Sequence, residues 1–153
     1  MAVSELEHHK PGYKNEGLIN CRFYVRIGNE TQAVFTEVSG LQVETTVQDY
    51  EEGGNNGFVH RLPGRTKVGN LTLKRGITRG NEFYKWYSDV ASGRIERKHV
   101  SLVVFSPKGD VVAQWDFEHA FPIKWVGPQL VADGTAVAIE TLELAHAGLS
   151  RAK

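Results

Sequence analysis

The sequence predicts an α+β domain, mostly antiparallel β, arranged as a sandwich or barrel with one flanking α-helix. Apolar residues alternate with polar ones at a spacing of two in segment after segment. One stretch, Phe83 to Val90, changes instead to the 3.6-residue period of a helix. Glycine, proline and asparagine clusters separate these segments. The order is several strands, one helix, several strands, which is the pattern of an α+β fold.

Residues 1–18 are polar, contain Pro11, Gly12 and Gly17, and read as an N-terminal arm ahead of a single domain over residues 19–150. In Cys21 to Ile27, Cys21, Phe23, Val25 and Ile27 share one face, while Arg22, Tyr24 and Arg26 share the other. Gly28-Asn29 signals a turn, with the return strand expected over Ala33 to Val38. After Ser39-Gly40, Val43, Thr45 and Val47 alternate with Glu44, Thr46 and Gln48 in a third strand. Asp49 to Gly57 is rich in glycine, asparagine and acid and is expected to be a loop. A strand around Phe58 to Leu62 follows, interrupted by Pro63-Gly64. Val68, Leu71 and Leu73 mark the next strand, which ends near Gly76.

Phe83, Trp86, Tyr87 and Val90 stand at i, i+3, i+4 and i+7, with Thr78 as the expected N-cap and Gly93 past the C-terminus. So dense an aromatic stripe places this helix against a sheet. Val100, Leu102 and Val104 alternate with Ser101, Val103 and Phe105, a strand apolar on both faces and therefore buried or pressed on a neighbour. Pro107-Lys108-Gly109-Asp110 forms a turn, because proline presets φ and glycine accepts a positive one. Ala113, Trp115 and Phe117 begin another strand, and Phe121 to Trp125 is a separate short extended run. Gly127-Pro128 breaks the chain before a last strand over Thr135 to His146, with Ala138, Leu142 and Leu144 on one face and Val137, Ile139 and Thr141 on the other.

The 153 residues can bury a core without a disulfide or metal staple. Eighteen basic residues balance eighteen acidic ones, so no global field draws nucleic acid or an anionic membrane. Weak self-repulsion suits a subunit that packs on its own copies. A lone cysteine, Cys21, forms no internal disulfide. The N-terminus lacks the apolar stretch of a signal peptide, and no run approaches the roughly 20 apolar residues that span a bilayer, so the chain is expected to be made in a bacterial cytoplasm.

A search for chemistry returns bland readings. His8-His9 are adjacent and do not converge on a metal. Cys21 falls on the apolar face with Phe23 and Val25, as a buried thiol would. Gly53 to Gly57 and Gly64-Arg65-Thr66-Lys67 lack the spacing of a phosphate-binding loop. Glu118-His119 has no matched nucleophile and reads as a solvated strand end. Arg61, Arg65, Lys67, Lys74, Arg75 and Arg79 cluster in sequence, but the neutral total favours a basic patch that meets an acidic patch on an identical neighbour over nucleic acid. No catalytic, cofactor or metal site is expected.

Longer motifs carry a resemblance. Phe35-Thr36-Glu37-Val38-Ser39-Gly40-Leu41 resembles the FxEVSGL signature of contractile tail-tube proteins. Arg61-Leu62-Pro63-Gly64 with Leu71-Thr72-Leu73-Lys74-Arg75-Gly76 resembles the family's PG…LTLKRG segment, and Phe83-Tyr84-Lys85-Trp86-Tyr87 before Gly93 resembles its helix. Trp115-Asp116-Phe117, Ala120 to Trp125 and Ile139 to His146 resemble its C-terminal signature. The resemblance covers about Cys21 to Leu149 and leaves the polar arm outside.

That family comprises tail tubes of contractile phages and inner tubes of extracellular contractile injection systems, and it is similar in fold to the haemolysin-coregulated protein (Hcp) of type VI secretion. The resemblance implies an Hcp-like tail-tube fold and a structural, non-enzymatic subunit of the inner tube of a contractile phage-tail-like particle. It implies hexameric rings, stacked into a hollow tube that a contracting sheath drives through a target envelope. Implied partners are further copies of the chain, the sheath, the baseplate or spike, the tail terminator, and an effector protein or DNA in transit through the lumen, with the particle released from the cell in some systems. Alternatives are a tube-initiator or baseplate ring subunit of the same family, a secreted type VI-like hexameric carrier, a small-ligand barrel and an enzyme.

The long segment Asp49 to His60 is expected to reach a neighbouring subunit. Candidate inter-subunit contacts are Asp49, Glu51, Glu52, Asn55, Asn56, Phe58, Arg61, Arg65 and Lys67, the acids facing the bases of another copy. Glu44, Thr46 and Gln48 are candidates to line a hydrated lumen.

Overall fold

The computed structural model describes residues 22–32, 35–54, 56–135 and 137–153. The N-terminal arm, His8-His9, Cys21, Ala33 and Asn55 lie outside the described residues. The described chain is β1 (Arg22–Ile27), β2 (Glu30–Gln32), β3 (Glu37–Ser39), β4 (Val43–Tyr50), β5 (His60–Val68), β6 (Leu71–Gly76), α1 (Glu82–Ala91), β7 (Lys98–Phe105), β8 (Val111–Val126), β9 (Ile139–Ala145) and β10 (Gly148–Arg151). All the strand pairs are antiparallel. The main sheet runs β2-β1-β7-β8-β9-β6-β3, with β10 also on β8, and β4-β5 forms a separate two-stranded ribbon.

The predicted class holds: mostly antiparallel β with one helix. The sheets remain open, so sandwich and barrel both fit only loosely. Strand β8 joins the two halves. Its first part pairs with β7 and β10 and its second with β9. The predicted break between Phe117 and Phe121 is instead a bulge, where Glu118 and His119 stand opposite His99 alone. His119 takes φ 52, the left-handed turn of backbone that re-aims the strand. Val25, Ile27, Leu71, Leu73, Phe83, Trp86, Val100, Leu102, Phe117, Leu142 and Leu144 then form one buried cluster, drawn from both sheet halves and the helix.

Helix α1 buries Phe83 and Trp86, as its stripe predicts, and packs against β8. Trp86 Nε1 donates to the Glu96 carbonyl at 3.0 Å, so its one polar atom is satisfied on burial. Gly93 ends the helix at φ 94. Thr78 is not the cap. Its hydroxyl bonds the Gly80 carbonyl, and the helix starts after Asn81 without a side-chain cap.

Other boundaries move for physical reasons. The return strand is β2, closed by Gly28 at φ 62; of the segment expected to form it, residues 33–34 lie outside the described residues and Glu37-Val38 fall in β3, which pairs with β6. The C-terminal strand starts at Ile139, not Thr135, and its core face includes Glu140 with Leu142 and Leu144. Arg75 leaves the expected surface cluster altogether. It is 3% exposed, its guanidinium 3.7 Å from the Phe83 ring centroid. Its Nε donates to Glu140 Oε1 at 2.6 Å and its Nη2 to Glu82 Oε2 at 3.3 Å, while Trp125 Nε1 donates to Glu140 Oε2 at 3.2 Å. A charge so buried stays only when paired, and these bonds tie β6, β8, β9 and α1 together. Glu82's own backbone N–H at the helix start, helped by Arg75, holds its carboxyl below the usual range against a smaller opposing effect of burial.

Candidate assembly surface

Strands β4 and β5 prolong the β3–β6 pair past the edge of the main sheet. The register runs from Ser39 opposite Thr72 to Val43 opposite Val68 across a short joint. At the joint Gly40 takes φ 93, and any side chain there would collide with the Asn70 carbonyl oxygen. Gln42 N–H donates to the Gly40 carbonyl and Gly69 N–H to the Gln42 carbonyl, so the joint is hydrogen-bonded.

The expected loop from Asp49 begins two residues later, at Glu51, and the expected break at Pro63-Gly64 is strand. β4 continues to Tyr50, and β5 passes through Pro63. Proline fits because the ribbon has no strand beyond it. Opposite Thr46 the β5 strand carries the extra residue of a bulge, Gly64-Arg65. A Cβ on Gly64 would lie 2.6 Å from Thr46 Oγ1, and that hydroxyl donates to the Arg65 carbonyl at 3.2 Å.

Antiparallel register sorts the ribbon into two faces. Val43, Thr45, Val47 and Asp49 share one with Val68, Thr66, Pro63 and Arg61. Thr45 and Thr66 share a 3.0 Å hydroxyl bond there, and Asp49 pairs with Arg61 at 3.4 Å. The lumen candidates Glu44, Thr46 and Gln48 share the other face with Tyr50, His60, Leu62 and Lys67. At the tip, His60 contacts Glu52 at 3.1 Å and packs edge-on against Phe58 at 4.9 Å between ring centroids. Asp49 and Glu52 therefore meet bases of their own ribbon. Both pairs are exposed, worth about 0–1 kcal/mol, and readily exchanged for partners on another surface. Glu51, Asn56, Arg65 and Lys67 are exposed along the same ribbon and tip.

Sequence reasoning singled out the polar and charged residues of this surface and, of its apolar ones, Phe58 alone. Every residue of β4 is exposed. Val43, Val47, Tyr50, Phe58, Val59 and Leu62 all present apolar surface, Tyr50 at 60% and Phe58 at 61% exposure. The signal was the alternation itself, which reports a face that seeks a partner without saying whether the partner is in the same chain. An isolated two-stranded ribbon is marginal in water, and a contiguous exposed apolar patch marks an interaction site.

A polar cluster on β7 and β8 was also missed. Ser101 Oγ donates to Asp116 Oδ1 at 2.6 Å, Gln114 Nε2 donates to the same oxygen at 3.1 Å, and His99 Nε2 lies 3.5 Å from it. Burial pushes the Asp116 carboxyl up, but Ser101, Gln114 and His99 outweigh it and hold it below its usual value. Serine and histidine both engage the carboxylate, which is not the nucleophile–base contact that acyl transfer needs. His119 is exposed at its bulge opposite His99. Among the described residues no group of His, Cys, Asp or Glu is placed to hold a metal ion, and no helix is long and apolar enough to cross a membrane.

Residues 19–150 match the family model of the T4-like virus tail tube protein gp19. The fold is similar to that of the anti-feeding prophage tube-terminating cap, at 26% identity and TM-score 0.77 over 85% of this chain and 87% of that one. It is similar at 25% identity and TM-score 0.78 to a chain of the sheath/tube terminator of the PVC extracellular contractile injection system, over 86% of this chain and 94% of that one. Hcp1 from Flavobacterium johnsoniae shares the fold at 14% identity and TM-score 0.54, with 85% and 94% covered. No curated protein matches the sequence.

Proposed function

The chain belongs to the T4-like virus tail tube family, a structural protein of contractile injection machines, and from that premise we propose that the β4–β5 ribbon is the arm that joins one tube subunit to the next. The observation that carries this reading is the exposure of all of β4 and most of β5: apolar side chains on a two-stranded element with no layer of the described residues behind it. A second copy supplies that layer. Residues 19–150 act as one domain, six of which close a ring, and rings stack by repeating one heterologous contact along an axis. Closing the ring also removes open sheet edges, as barrel closure does.

The two faces of the arm suit two environments. Val43, Val47, Pro63 and Val68 turn toward protein, and Glu44, Thr46 and Gln48 turn toward a hydrated lumen that does not hold passing cargo tightly. Asp49, Glu51 and Glu52 meet Arg61, Arg65 or Lys67 of a neighbouring copy on docking. Sheath, baseplate and terminator proteins of the particle are the other partners, and the subunit itself turns over no substrate. Replacing residues 51–57 by a short Gly-Ser linker tests the arm. Folded subunits or single rings are expected to persist while long tubes fail to form under the electron microscope. Tubes of normal length and stability from this variant would remove the tip from the assembly contact.

A further inference from the structure

The core-facing residues of β6 and β9 repeat. On β6 they are Leu71, Leu73 and Arg75, and on β9 they are Glu140, Leu142 and Leu144. In the antiparallel register Leu71 stands opposite Leu144, Leu73 opposite Leu142 and Arg75 opposite Glu140. All four leucines are 0% exposed. A slip of one residue would turn this whole set to the other face, so burial forbids it. A slip of two residues is different. It would still set leucine against leucine in the core, Leu71 against Leu142 or Leu73 against Leu144. No turn settles the choice, because α1, β7 and β8 separate β6 from β9 in the chain.

Arg75 and Glu140 break the tie. They are 3% and 8% exposed. Arg75 Nε donates to one carboxylate oxygen of Glu140 at 2.6 Å, and Trp125 Nε1 donates to the other at 3.2 Å. Trp125, on β8, stands opposite Leu142, so the same carboxylate also ties the β8–β9 register. The Arg75 guanidinium lies over the Phe83 ring and reaches Glu82, which extends the tie to α1. Either two-residue slip would part the pair, setting Arg75 against Leu142 or Glu140 against Leu73. A buried charge that loses its partner is strongly destabilising, whereas a matched pair adds little over apolar residues of like size. The pair therefore separates the registers by more than it stabilises the native one.

We propose that Arg75 and Glu140 form a register key, which selects one pairing of β6 with β9 against the slipped pairings that the leucines accept. The slip would also move the ribbon. Strand β6 has β3 beside it and β5 before it, so a shift of two residues would displace both by about 7 Å. Copies so displaced could not share one contact repeated from ring to ring. That consequence rests on the tube reading, and the key itself does not.

Cysteine pairs on the opposite face of the same strands report the register. In a Cys21→Ser background, Thr72→Cys with Glu143→Cys marks the native pairing. Thr72→Cys with Thr141→Cys, and Lys74→Cys with Glu143→Cys, mark the two slipped ones. Each pair is equilibrated in a glutathione buffer, with the key present and with Arg75→Met plus Glu140→Leu. The double variant is expected to keep the wild-type circular dichroism and to melt above Arg75→Met alone, which strands the Glu140 carboxylate. Its slipped disulfides are expected to rise at least about tenfold relative to the native one. A double variant that folds with the native disulfide alone overturns the key and leaves the register to the leucines. One that fails to fold, or melts no higher than Arg75→Met, assigns the pair to stability and also overturns the key. Either of these results leaves the tube reading intact.

Discussion

At the scale of single residues, the buried and half-buried polar groups decide more than their number suggests. Asp116 is held ionised by Ser101, Gln114 and His99 across two strands. Its folded pKa is depressed, so its contribution to stability is present above the unfolded value, near about pH 4, and is lost as pH falls through the folded value. Urea unfolding of the wild type is expected to weaken on acidification below about pH 4 by more than that of Asp116→Asn. Equal losses in the two proteins would mean that the cluster does not stabilise the fold. Such residues were poorly legible in the sequence. Arg75 reads as one more base in a run from Arg61 to Arg79, because its partner Glu140 lies 65 positions away. No local pattern encodes a pair that only the β6–β9 register brings together. Cβ-free positions were easier to read: Gly93 and Gly109 take the positive φ that their turn contexts require.

At the scale of elements, periodicity placed the helix and most strands, but it stopped β5 at Pro63 and split β8 in two. Phe83 and Trp86 are buried at their predicted spacing. Trp86→Ala should cost about 3–5 kcal/mol by urea unfolding, since it empties the space under α1 and leaves the Glu96 carbonyl without its donor. A loss well under about 1 kcal/mol would mean that the helix does not rest on this residue. Where the element reading failed, the cause is specific. Pro63-Gly64 is a break in most contexts, but in a ribbon with open edges it is a bulge. Glu118-His119 carries no glycine to advertise left-handed backbone, so the bend that keeps β8 one strand of sixteen residues stayed hidden. In the candidate site, Glu44, Thr46 and Gln48 were placed on a strand, as the structure has them, whereas Asp49 was put in the loop and Arg65 past a break, and of the apolar residues of the same surface only Phe58 was singled out.

At the scale of the whole molecule, one observation organises the rest. The core closes between the two sheet halves and α1, yet β4 and β5 stand outside it with apolar side chains in water. Among the described residues nothing beyond the ribbon itself pairs with this arm. In the proposed reading a neighbouring copy supplies its cover, and the balanced charge of the chain lets identical copies approach. The most direct test is a cryo-electron microscopy reconstruction of the assembled wild-type protein. It should show hexameric rings stacked into a tube, with Val43 and Val47 of each arm buried against another copy. A tube in which the arms stay solvated, or a protein that remains monomeric at all concentrations, would contradict the account.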